Sequence, residues 1–239
     1  LISKSRYNSV MKNIYLVLIA TLSFSLVADE GRLGRNSNEY QNTSFGFSFI
    51  SAEDDGLALN ASLALPGPLY AVFERRADGI DLDTENYDKV VNSVRLGAHS
   101  GIGDILNSIS LKGISFSVEN FLDIYAELGI KTSSLEGKIN DFSDDDLQAN
   151  AIAGIRFGDS NDWEGKLFVD FSKESNITIL ECQEEICTQE ISYVLANETD
   201  RKFGAEAVFN ISKHTAINFK AISSDVLDSS FEIGFRLTF

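Results

Sequence analysis

Leu122-Asp123-Ile124-Tyr125-Ala126-Glu127-Leu128-Gly129-Ile130-Lys131 decides how this chain folds. Leu122, Ile124, Ala126, Leu128 and Ile130 take every second place, while Asp123, Tyr125, Glu127 and Lys131 stand between them. Successive side chains of a strand point to opposite faces, so this segment has one apolar face and one ionic face. The same period of two recurs along the chain. Phe45, Phe47 and Phe49 interleave with Gly46 and Ser48, and Leu57, Leu59, Ala61, Leu63 and Leu65 with Asn60 and Ser62. Ala149, Ala151, Ala153, Ile155 and Phe157 interleave with Gln148, Asn150, Gly154 and Arg156. No window of 11–18 residues after Ala28 has helical spacing.

Alternation alone fits a soluble sandwich or a barrel that spans a membrane, and three features separate the two. The apolar face persists for about 9–11 residues per segment, the reach needed to cross a bilayer at a tilt, where soluble strands usually run about 5–6. The other face carries charge in mid-strand, which a sandwich core cannot hold unpaired but a wet lumen can. Tight turns at Pro66-Gly67-Pro68, Asp159-Ser160-Asn161-Asp162 and Ser212-Lys213-His214 alternate with longer acidic segments at 78–89, 133–145 and 174–190.

Composition agrees. The 239 residues are 44% apolar and 23% charged, with a net charge of −16, against the basic face that nucleic acid phosphates require. Two cysteines complete no four-cysteine zinc site. Near the start, Met11-Lys12 precedes an apolar run from Ile14 to Leu26 and then Val27-Ala28 before Asp29-Glu30. This reads as a signal peptide, its apolar run being shorter than the ~20 residues of a transmembrane helix. Residues 1–10 then read as an over-long gene start, 1–28 as the segment removed, 29–41 as a periplasmic N-terminal segment and 42–239 as the barrel.

The final stretch, Phe231-Glu232-Ile233-Gly234-Phe235-Arg236-Leu237-Thr238-Phe239, alternates without a break and ends on an aromatic ring. It resembles the C-terminal strand signal by which bacterial outer-membrane β-barrel proteins are recognised for insertion, carried here by Phe231, Ile233, Phe235, Leu237 and Phe239. With the leader and the strand pattern, the chain resembles a small, porin-like β-barrel protein of the Gram-negative outer membrane. The expected fold is all-β: a transmembrane, antiparallel, up-and-down β-barrel of about ten strands, with eight or twelve as alternatives. Segment 101–120 falls where a short turn belongs and reads as a long turn, a bulged strand end or an extra hairpin. The resemblance implies Sec export, both barrel ends on the periplasmic side, a monomer, and as partners outer-membrane lipid, lipopolysaccharide and the barrel-assembly machinery.

The face opposite the lipid offers Glu74, Arg76, Arg95, Asp123, Glu127, Lys131, Arg156, Lys166, Asp170, Glu206, Lys220, Glu232 and Arg236. Acids and bases balance there in a chain that is otherwise strongly acidic, which points to mutual pairing across a narrow lumen. A structural, envelope-stabilising role is the favoured reading, a selective small-solute pore the alternative, and an adhesin or receptor acting through the loops a third. Asp81-x-Asp83-x-Glu85 is a weak calcium candidate, since it lacks the glycine and distal glutamate of an EF-hand. Cys182 and Cys187 are expected to close a hairpin tip as a disulfide in an oxidising compartment. Tyr70, Phe121, Phe157, Trp163, Phe209 and Phe239 are read as an aromatic girdle at the short-turn side. With only His99 and His214 available, both placed near the short turns, neither catalysis nor a cofactor is expected.

Overall fold

The computed structural model describes residues 43–52, 55–82, 85–108, 122–136, 141–159, 162–180, 192–225 and 229–239. The leader, the 29–41 segment, Phe121, Asp83, Cys182 and Cys187 lie outside the described residues.

Ten strands follow one another: β1 (Ser44–Ser51), β2 (Gly56–Ala64), β3 (Leu69–Leu82), β4 (Glu85–Gly101), β5 (Leu122–Glu136), β6 (Asp141–Gly158), β7 (Trp163–Leu180), β8 (Ser192–Ser212), β9 (Thr215–Ser224) and β10 (Ser230–Thr238). A short helix, α1 (Ile102–Ser108), sits between β4 and β5 and packs on both. Each strand pairs antiparallel with its sequence neighbours, and β1 closes on β10 from Ser44↔Thr238 to Ser51↔Phe231. Closure gives every strand two partners, so no sheet edge is exposed in the closed belt.

The strands are tilted. The pairing path from Ser51 runs through Phe231, Ala221, Ala205, Leu167, Ile155 and Ile124 to Ser100, from the top of β1 to the bottom of β4. Such a stagger goes with inclinations of about 35–45° in closed barrels. Two turns at the end that carries both barrel termini depend on glycine, with Gly67 at φ 73° and Gly158 at φ 99°. Other residues visit that region only at a cost.

The wall is uneven. β1, β2, β9 and β10 have 8, 9, 10 and 9 residues, enough for one bilayer crossing, whereas β3 to β8 run from 14 to 21. The segments expected as long acidic loops at 78–89 and 133–145 are therefore largely strand, with β3 and β4 paired out to Leu82↔Glu85 and β5 and β6 to Glu136↔Asp141. Beyond the bilayer water accepts charge on both faces, so the period of two disappears from the sequence while the backbone ladder continues. The expected loop at 174–190 is likewise strand up to Leu180. Among the described residues, β6 and β7 pair no higher than Asn150↔Ser172, and β8 and β9 no higher than Lys202↔Ser224. The upper β7–β8 hairpin thus stands as a two-stranded ribbon.

Segment 101–120, expected as a turn, bulge or hairpin, begins instead with α1; seven residues are too few to register as periodicity in an 11–18 residue window.

Candidate functional site

The two faces of the belt differ in chemistry. Phe47, Phe49, Leu128, Ile130, Leu167, Phe203, Ile233 and Phe235 are exposed on the outside, while Arg95, Glu127, Lys131, Arg156, Glu164 and Glu232 are buried. Apolar groups are exposed and ions hidden, the reverse of a soluble protein. The chain is a closed transmembrane β-barrel. An apolar belt outside and a polar interior suit strands that cross a bilayer. No helix among the described residues is long and apolar enough to cross a membrane.

Inside, the charged residues meet at three levels. At the short-turn end, within a few residues of the strand termini, His99 Nδ1 lies 3.2 Å from Asp123 Oδ2, and the Asp123 side chain is completely buried. The Arg156 guanidinium lies over the Tyr125 ring, 5.9 Å from its centroid. Arg236 reaches Glu164 at 2.6 Å and donates to Asn210 Oδ1 at 3.2 Å. At the middle level Arg95 spans Glu74 at 2.8 Å and Glu127 at 2.7 Å, and the Tyr70 hydroxyl donates to Glu127 at 2.9 Å. Lys166 and Glu206 face each other across β7 and β8 at 2.9 Å, as Lys220 and Glu232 do across β9 and β10 at 3.4 Å. Higher up, Arg76 joins Glu232 at 2.5 Å and Asp78 at 2.7 Å, Asn150 donates to Asp170 at 3.3 Å, and Lys131 is buried.

Two of these contacts leap over intervening strands. Arg76 on β3 reaches β10 across β2 and β1, and Arg236 on β10 reaches β7 across β9 and β8. They act as struts across the lumen. Aromatic rings fill space next to glycine in the same layer: Tyr70 opposite Gly97, and Phe168 opposite Gly204. A Cβ at either glycine would collide with the facing ring. The lumen holds a cavity of about 170 Å³, bordered on one side by the uncharged Gly46, Ala58 and Asn60 of β1 and β2.

Sequence reasoning missed Glu164, Asp78 and Asp200 as interior groups. Asp200 is buried and accepts the Ser224 hydroxyl at 2.7 Å and the Asp225 N–H at 3.0 Å. Their signal was parity, since Glu164 shares the phase of Lys166 and Asp170, and Asp200 that of Glu206. Tyr70 corrects the expected girdle: it is buried inside the barrel, in the phase of Glu74 and Arg76, rather than set at the lipid interface. Trp163, Phe209 and Phe239 are exposed near the short-turn end, and Phe157 meets Trp163 edge-on at 6.0 Å. Phe231, Ile233, Phe235, Leu237 and Phe239 are exposed, with Phe235 stacked on Phe47 at 5.4 Å. Asp81 lies on β3 and Glu85 on β4, at a hairpin tip rather than in an open loop.

No protein-family model and no curated protein matches the chain. Among solved structures, the KdgM porin aligns over 82% of this chain and 99% of its own, with 6% identity and a TM-score of 0.40. The NanC porin covers the same shares at 8% identity and a TM-score of 0.38. Neisserial surface protein A aligns over 82% of this chain and 94% of its own, at 9% identity and a TM-score of 0.36. Likenesses at this level carry no weight of their own; the barrel stands on its strand order and its inverted faces.

Proposed function

We propose that this chain is an envelope-stabilising barrel of the outer membrane, closed to ion flow by its own interior charges. Its short turns and both barrel ends face the periplasm, and it works as a monomer without catalysis. The observation that carries this reading is the layer at the short-turn end, where His99, Asp123, Tyr125, Arg156 and Glu164 are all buried across the lumen. Ions paired and hidden at that level leave no wet path through it. The test is conductance of the refolded barrel in planar bilayers. No steady current is expected, and a stable open level overturns the proposal.

The second reading, a small-solute pore, draws on the cavity of about 170 Å³ beside the uncharged β1–β2 sector. It requires the Arg236–Glu164 strut to yield, so Arg236→Ala would then convert a rare opening into a steady current.

The non-catalytic reading draws on the histidines. His99 is buried against Asp123, and His214 sits in a two-residue turn with Nδ1 3.0 Å from the Thr238 carbonyl oxygen.

A further inference from the structure

We propose that the lipid-facing wall carries a site for one phosphorylated amphiphile, with its acyl chain in a groove across β6–β9 and its phosphate at Arg201. The outward face is not uniform. On β1 and β10 it presents Phe47, Phe49, Phe231 and Phe235, whereas β6, β8 and β9 present Ala153, Ala205 and Ala221. Over these alanines runs a groove of about 650 Å³, walled by Leu167 and Phe203. That volume lies within the roughly 300–1,000 Å³ of small-molecule sites. The groove reaches Ser223 and Ser229 at its upper end, so an apolar trough finishes in hydroxyls.

Charge stands directly above it. Arg201 is in the outward phase of β8, its side chain 63% exposed, with Nε donating to Asp225 at 2.9 Å. On β7, Phe171 pairs with Arg201 and Lys173 with Thr199, which puts the exposed Lys173 in the same outward phase one step higher. In so acidic a chain, two neighbouring cations at the rim of an apolar groove are complementary to an anion. A guanidinium has five N–H donors and suits a phosphate through two of them at once, so the Asp225 bond does not exhaust it. A free phosphate has no use for the groove, and an uncharged chain has none for the cations. The two together select an amphiphile.

This inference rests on the membrane-spanning reading, and the mobility shift on heating in gels checks that reading separately. The full chain, folded in detergent, is titrated by native mass spectrometry with dilauroyl phosphatidic acid, dilauroylglycerol and inorganic phosphate. Expected are one retained phosphatidic acid, dilauroylglycerol weaker by about tenfold, as the loss of a charged hydrogen bond implies, and no retained phosphate. Arg201→Gln with Lys173→Gln weakens phosphatidic acid binding by about tenfold. Ala205→Phe, which fills the groove and leaves the cations, weakens it as well. Equal binding of the two lipids, or binding unchanged in both variants, overturns the site. If a variant loses its heat shift, the three probes on the unaltered chain decide alone.

Discussion

The low wall, β9-β10-β1-β2, and the tall wall, β3 to β8, are built from the same alternation yet obey different limits. In the low wall each strand is only as long as one tilted crossing, and the outward positions of β1, β2 and β10 are mostly Phe, Leu or Ile. β1 and β2 contribute no charged side chain to the lumen among the described residues. In the tall wall the strands carry most of the interior ions and continue above the bilayer into acidic sequence. Lipid sets the length of the first, while hydrogen bonding between neighbours sets that of the second. The two struts, Arg76–Glu232 and Arg236–Glu164, tie one wall to the other.

Breaching the lipid limit should have the largest effect. Phe235→Arg in the low wall should cost about 2–4 kcal/mol, against near zero for Thr199→Arg on the tall wall above the belt, and equal costs would erase the distinction. Next comes cutting a strut. Arg236→Met removes the cation hydrogen-bonded to Glu164, 2% exposed, and should cost about 2–3 kcal/mol, read from urea midpoints in micelles. Adding Glu164→Gln should restore most of the loss; no recovery would mean that Arg236 acts through packing alone. Within the tall wall, a double-mutant cycle on Lys166 and Glu206, which face each other directly, should return a coupling of about 0.5–1 kcal/mol. The smallest effect is expected from shortening the β7–β8 ribbon by removing 175–197. An isolated two-stranded ribbon adds little, so stability should move by less than about 0.5 kcal/mol with the heat shift intact.

The belt was legible because lipid and water impose opposite demands on alternate residues: Leu122 to Lys131 already separate their faces, and β5 holds them that way. The thirteen residues expected in the lumen were chosen by the same parity. Glu164 was passed over at the first residues of its strand, although it shares the phase of Lys166 and Asp170. Tyr70 escaped because a tyrosine suits an interface and an interior equally, and its place opposite Gly97 shows only when β3 and β4 are set in register.

Sequence by itself determined the all-β class, the inverted faces and the strand number near ten, since each follows from local alternation and crossing length. Only the tertiary structure decided that the walls differ in height, that Arg76 and Arg236 reach over intervening strands, and that alanines on separate strands join into one groove. Those features depend on stagger and tilt around a closed circuit, and a period of two is blind to both.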